Sequence, residues 1–121
     1  MKKRILIIED ETTIVQLLTL VLAREGYEVH ACQSGRDAIA KMKQNRPQLV
    51  MLDVMLPGMD GRAVASIMEQ DADLASIPVI VMSALVESER MFKAFPQVKA
   101  FFTKPFVLKD LIIKVKETLG D

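Results

Sequence analysis

Six polar side chains stand directly behind short apolar runs. Glu9, Asp10 and Glu11 follow Ile5–Ile8, Asp53 follows Leu49–Leu52, Ser83 follows Val79–Met82, and Lys104 follows the weaker run Ala100–Thr103. Brought together, Glu9, Asp10 and Asp53 would crowd: two carboxylates about 4 Å apart repel by roughly 4 kcal/mol at an effective dielectric near 20. Lys104 offsets one of those charges. A divalent cation relieves the rest, and an all-oxygen ligand set suits Mg2+, which keeps several waters and welcomes a phosphate oxygen. An aspartate beside Mg2+ and a lysine is a nucleophile suited to phosphoryl groups, because metal and ammonium neutralise charge on the transferring oxygens.

Each residue also has a plainer reading. Asp53 caps the helix that begins near Gly61, or accepts bonds from loop amides. Glu9 and Asp10 are solvated loop acids, or cap a helix starting at Thr12 or Thr13. Ser83 ends a strand, and Lys104 lies along the surface with its stem packed. Taken singly, the plainer reading is preferred for Ser83 and Lys104 and evenly balanced for Asp53. Taken together, one shared site explains four coincidences at strand ends.

The elements that would position these residues follow from the apolar pattern. The runs at Ile5–Ile8, Leu49–Leu52 and Val79–Met82, with weaker ones at Tyr27–Ala31 and Ala100–Thr103, read as strands. Their length and Ile/Val content suit strands buried on both faces. Ile14, Leu17, Leu18, Val21 and Leu22 fall on one face of a helix that ends before Gly26. Leu108, Leu111, Ile112, Val115 and Leu119 repeat the pattern near the C-terminus, where Gly120 suits the helix end. Ala38, Ile39 and Met42 mark another helix stopped by Asn45 and Pro47, and Val64, Ile67 and Met68 a third. Val86–Phe95, closed by Pro96, carries the weakest helical signal. Strand and helix alternate five times, which argues for an α/β fold with a parallel sheet covered on both faces. Sites in such folds form outside the carboxyl ends of the strands, where the six polar residues stand.

Composition narrows the classes further. A chain of 121 residues fits one domain, residues 1–121, and half of it is hydrophobic. Sixteen basic side chains balance sixteen acidic ones, so there is no electrostatic footprint for nucleic acid or an anionic membrane. The apolar runs fall far short of the roughly 20 residues that span a bilayer. Lys2-Lys3-Arg4 precedes too short an apolar stretch for a signal peptide and reads as a solvated strand start. Cys32 and His30, each alone of its kind, give neither an internal disulfide nor a Cys/His metal cluster. The cytoplasm is the natural compartment.

With those residues in place, the chain resembles the receiver (phosphoacceptor) domain of two-component response regulators. The segments that carry the likeness are "ILIIEDE" at Ile5–Glu11, "SGRDAIAKM" at Ser34–Met42, "PQLVMLDVMLPGMDG" at Pro47–Gly61, "IPVIVMSA" at Ile77–Ala84 and "FFTKPF" at Phe101–Phe106. The resemblance implies a flavodoxin-like (βα)5 fold, a doubly wound sandwich with five parallel strands in the order 2-1-3-4-5. It implies that Asp53 accepts phosphate from a phosphohistidine or a small donor such as acetyl phosphate. Mg2+ would be held by Glu9, Asp10, Asp53 and the backbone carbonyl of Met55, with Glu9 acting partly through water. Lys104 would contact the phosphoryl oxygens, and the Lys104-Pro105 bond would be cis, an isomer open to X-Pro bonds. Ser83 would move to the phosphoryl group and Phe101 would rotate inward behind it. That two-state switch would be reported on the surface of the fourth helix, fifth strand and fifth helix. Phe101 as a plain core residue is the alternative. Met55 and Leu85, flanking the site, would tune phosphate lifetime; both are apolar, so self-dephosphorylation is expected to be slow.

The implied partners are a sensor histidine kinase or a histidine phosphotransfer protein, and a downstream effector whose identity the sequence does not carry. A phosphorylation-dependent dimer also fits. Neither nucleic acid nor membrane is expected to bind directly. The resemblance implies a phosphoacceptor domain, not an enzyme, that catalyses only its own phosphorylation and dephosphorylation. One region departs from the family: in "FPQVKAFF", Gln97 and Val98 stand where a Gly-Ala pair is usual. The loop entering the fifth strand is therefore expected to differ, and the fourth helix to be short or irregular. Gln48, where many members carry an acid, reads as inconsequential. A phosphate-independent binding module is disfavoured because every key position is filled. A Mg2+-dependent phosphohydrolase would carry a second acid where Met55 stands, and a flavodoxin-like cofactor binder would need glycines in place of "IIEDETT".

Overall fold

A computed structural model describes residues 2–121. Five strands, β1 (Arg4–Ile8), β2 (Glu28–Cys32), β3 (Leu49–Asp53), β4 (Val79–Ser83) and β5 (Val98–Thr103), alternate with five helices. The helices are α1 (Thr12–Arg24), α2 (Gly35–Asn45), α3 (Gly61–Gln70), α4 (Glu89–Phe92) and α5 (Leu108–Leu119). All neighbouring strands pair in parallel, in the order β2-β1-β3-β4-β5. The parallel sheet is the one expected from the alternation, and its flavodoxin-like strand order is the one the receiver-domain resemblance implies.

The central strands are apolar because both of their faces are covered. Leu6, Ile8, Val50, Leu52 and Val81 point to one side, against Met42 of α2 and Val64 and Met68 of α3. Ile5, Ile7, Leu49, Met51 and Ile80 point to the other, against Leu18 and Leu22 of α1 and Leu111 and Val115 of α5. The edge strands β2 and β5 are only partly buried, which explains their weaker apolar runs.

Register fixes the site. Ile8 pairs with Leu52, Asp53 with Met82, and Ser83 with Thr103, so the strands end level with one another. The residues immediately beyond, Glu9 and Lys104, therefore share an edge with Asp53 and Ser83.

Local details differ from the sequence reading in three places. Asp60 rather than Asp53 caps α3, its carboxylate accepting the Ala63 amide at 2.9 Å, which leaves Asp53 free for the site. Arg4 is not merely solvated: its guanidinium donates to the Asn45 carbonyl at 2.7 Å and the Arg46 carbonyl at 2.9 Å, closing the C-terminus of α2. Gln48 has a structural part, because its side-chain oxygen accepts the Arg4 amide at 2.6 Å where β1 and β3 begin to pair. The stretch Val86–Phe95 is short and irregular as expected, a 3-10 turn at Val86–Ser88 followed by the single turn of α4. The strand after it is irregular as well: Val79 pairs with Val98 but Ile80 with Ala100, so Lys99 is an extra residue in β5.

Candidate functional site

Glu9, Asp10 and Asp53 each offer a carboxylate oxygen, and these oxygens all lie within 4.8 Å of one another. Glu9 and Asp53 are buried and Asp10 is exposed, so the group forms a shallow acidic pocket with one open side. Lys104 reaches in from the end of β5. Its Nζ lies 2.6 Å from Glu9 Oε1, 3.3 Å from Asp53 Oδ2 and 3.7 Å from Glu11 Oε1, with only 11% of its side chain exposed. The surface position open to it from sequence alone is thus not the one it takes. The bond from Lys104 to Pro105 is cis.

The turn after β3 carries the chain away from Asp53, which is itself only 4% exposed. Asp53 Oδ1 lies 3.4 Å from the Met55 amide, a long contact that leaves its lone pairs largely uncommitted. The chain reverses at Gly58, whose φ of 82° suits a residue without a Cβ. Gly61 then packs α3 directly onto the strand end: a Cβ there would meet the Asp53 carbonyl oxygen at 2.6 Å. Met55 and Leu85 flank the opening, 58% and 37% exposed. Met55, Leu56, Pro57, Leu85 and Met91 line a largely apolar cleft of about 690 Å³ that Asp10 also borders.

Electrostatics follow from this crowding. Burial pushes the Glu9 carboxyl up to about 7, and the Asp53 charge adds to the shift, against the lowering pull of Lys104 and of the Glu11 amide. Burial alone would lower the Lys104 ammonium; its hydrogen bond to Glu9 and the Asp53 charge outweigh that and hold it above its ordinary value. One cation thus faces an excess of carboxylates. The all-oxygen donor set of Glu9, Asp10 and Asp53 fits a hard divalent ion such as Mg2+.

Ser83 reaches the same edge but is fully buried, and the partners of its hydroxyl lie in the turn after β4. The Leu85 amide donates to Ser83 Oγ at 3.0 Å, and Ser88 Oγ lies 3.4 Å away. Phe101 is half-buried on β5, its ring centroid 6.4 Å from that of Phe92 on α4. Sequence reasoning had no reason to name Ser88 or Phe92. A serine five residues past a strand end carries no pattern of its own, and Phe92 is legible only as a core residue.

The family profile described as response regulator receiver domain matches residues 5–116. Among curated proteins, the regulatory protein VanRB of Enterococcus faecalis is 37% identical over 120 residues, covering 98% of this chain and 53% of that protein. The chain spans about half the length of the curated relatives it matches. Among solved structures, the receiver domain of a signal transduction histidine kinase from Syntrophus aciditrophicus superimposes with a TM-score of 0.87 at 32% identity, over 98% of this chain and 90% of that one. The phosphorylated cyanobacterial phytochrome response regulator RcpA gives a TM-score of 0.80 at 31% identity, over 97% and 91% of the two chains.

Proposed function

This chain belongs to the response regulator receiver domain family, and on that premise we propose that Asp53 is its phosphoacceptor. Receiver domains of two-component response regulators take a phosphoryl group from a kinase, and this chain is a signalling domain of that kind. The reading of Asp53 rests above all on one observation: the acceptor carboxylate lies within 3.3 Å of a nearly buried ammonium and within 4.8 Å of two further carboxylates.

An Asp53 carboxylate oxygen attacks phosphorus of a phosphohistidine or acetyl phosphate. The P–N or P–O bond to the donor breaks with its electron pair, and imidazole or acetate leaves. Lys104, already 3.3 Å from Oδ2, meets the charge that the phosphoryl oxygens bring. Glu9, Asp10, Asp53 and the Met55 carbonyl would hold Mg2+, which when bound neutralises charge on the transferring oxygens. Ser83 then hydrogen-bonds the phosphoryl group and Phe101 turns inward, changing the surface of α4, β5 and α5 that an effector or a second copy reads. The chemistry is confined to gaining and losing its own phosphoryl group.

We read the 121 residues as one receiver domain. Its donor is a histidine kinase or a histidine phosphotransfer protein in the cytoplasm. Among the described residues no helix is long and apolar enough to cross a membrane. Incubation with acetyl phosphate and Mg2+, read by intact mass and peptide mapping, tests the assignment. One phosphoryl group on Asp53, absent from Asp53→Asn, is the expected result; equal labelling of the two proteins refutes it.

A further inference from the structure

Ser88 is only 2% exposed, yet the phosphotransfer chemistry gives it no task. Its hydroxyl lies 2.6 Å from the Leu85 carbonyl oxygen and 3.4 Å from Ser83 Oγ. Proton counting orders these contacts. The carbonyl has no proton, so the 2.6 Å bond takes the single proton of Ser88. The longer contact then runs the other way, from the Ser83 hydroxyl to Ser88 Oγ. With the Leu85 amide donating to Ser83 Oγ at 3.0 Å, the three residues close a ring. The ring holds the Ser83 hydroxyl in the turn after β4.

Ser88 also occupies a mechanical position. It ends the 3-10 turn and immediately precedes α4, a single turn whose last residue is Phe92. Phe92 is 1% exposed and packs against Phe95 and Phe101, with centroids 6.0 and 6.4 Å away. Only three residues therefore separate Ser88, whose hydroxyl touches Ser83, from Phe92, whose ring touches Phe101.

We propose that Ser88 is a positioning residue for the phosphorylation switch, holding Ser83 in its resting orientation and coupling its release through α4 and Phe92 to Phe101. The inference rests on the reading of Asp53 as phosphoacceptor and of Ser83 as the group that moves to the phosphoryl oxygens. Removing the Ser88 hydroxyl withdraws a partner that Ser83 has only in the resting state, so the active arrangement becomes easier to reach.

Beryllium fluoride with Mg2+, titrated by calorimetry, supplies the test. Ser88→Ala is expected to bind it about fivefold more tightly than the original protein, which is ~1 kcal/mol or one net neutral hydrogen bond. In a Ser83→Ala background the same substitution is expected to change nothing, because its effect passes through Ser83. A residue that merely supports the turn would shift binding equally in both backgrounds. Ser88→Cys, which nearly keeps the volume while weakening both hydrogen bonds, gives the same comparison with less change in packing. Unchanged or weaker binding in the Ser88 variants, or an equal shift in both backgrounds, overturns the role of Ser88 and leaves Asp53 untouched. Failure of the unsubstituted protein to bind the probe, together with failure to label Asp53, overturns both.

Discussion

Replacing Lys104 with methionine isolates the charge balance of the site. The substitution keeps the buried stem and removes the ammonium that lies 2.6 Å from Glu9 and 3.3 Å from Asp53. At an effective dielectric of 20 its attraction to Asp53 alone is about 5 kcal/mol, much of it offset by desolvation. Removing one partner of a buried pair typically costs about 3–5 kcal/mol, because the remaining charge is stranded. Taking the lower figure, and about 4 °C per kcal/mol for a domain this size, Lys104→Met should melt roughly 12 °C lower at pH 8 without Mg2+.

The loss should depend on pH in a definite direction. Glu9 in the folded protein titrates near 7, above its ordinary value of 4.5. Between those values the unfolded chain gives up its proton while the folded chain keeps it, so stability falls as pH rises through that window. The fall is about 3 kcal/mol at most. Without Lys104 to pull it down, the Glu9 value rises further and the window extends upward, so the variant's deficit grows from pH 5 to pH 8. Saturating Mg2+ should recover much of the deficit, and less Mg2+ should be needed than by the unsubstituted protein, since the ion no longer competes with an ammonium for the same carboxylates. Scanning calorimetry across pH, with EDTA and with Mg2+, measures all of this. A deficit indifferent to both pH and Mg2+ would refute the picture of Lys104 as the counter-ion of an over-acidic pocket.

Three further outcomes follow from particular contacts. The phosphorylated protein should keep its label far longer than seconds, since Met55 and Leu85 offer no side-chain hydrogen bond to an attacking water; Met55→Asn should shorten the lifetime roughly tenfold, measured by loss of radiolabel in Mg2+. Gln97→Met should change stability by less than about 1 kcal/mol, because the bond to the Ala65 carbonyl at 2.9 Å is lost while a buried acceptor without a partner, Gln97 Oε1, is removed with it. A loss above about 2 kcal/mol in urea melts would contradict this account. Gly61→Ala places a methyl 2.6 Å from the Asp53 carbonyl oxygen, so α3 must shift; a stability loss of about 1–3 kcal/mol and slower labelling of Asp53 by acetyl phosphate are expected together.

What could be read from sequence was whatever depended on local pattern. An apolar strand that stops at an acid announces both the strand and its end, and parallel topology then brings Glu9, Asp53, Ser83 and Lys104 to one edge. The residues that escaped were those whose partners are distant or owe their burial to an irregular turn. Arg4 finds the α2 carbonyls across 41 and 42 positions of chain, and nothing in Lys2-Lys3-Arg4 points there. Gln97 stands out in sequence as a departure from the family, but its bond to Ala65 spans 32 residues. Gln48 looked inert because its partner is a backbone amide. In Val86–Phe95 helical and turn preferences compete, and tertiary packing of Phe92 decides in favour of a single helical turn.

The weakness of the Ser83–Ser88 contact fits the work proposed for it. A hydroxyl pair at 3.4 Å is longer than an ordinary O–H···O bond and contributes no more than about 1 kcal/mol. A phosphoryl group on Asp53 offers the same hydroxyl a charged acceptor, and hydrogen bonds to ionised groups contribute about 1.5–3 kcal/mol. The difference favours transfer of the Ser83 proton donor from Ser88 to the phosphoryl oxygen by a factor of roughly two to thirty. A shorter resting bond would narrow that margin, and no bond at all would let Ser83 wander before phosphate arrived. The single turn of α4 suits the same task. It is only four residues long, with Ser88 immediately before it and Phe92 as its last residue, so few helical hydrogen bonds resist a shift. Loss of the Ser88 contact then frees the end of α4 nearest Ser83, and Phe92 at its other end is the residue against which Phe101 must turn.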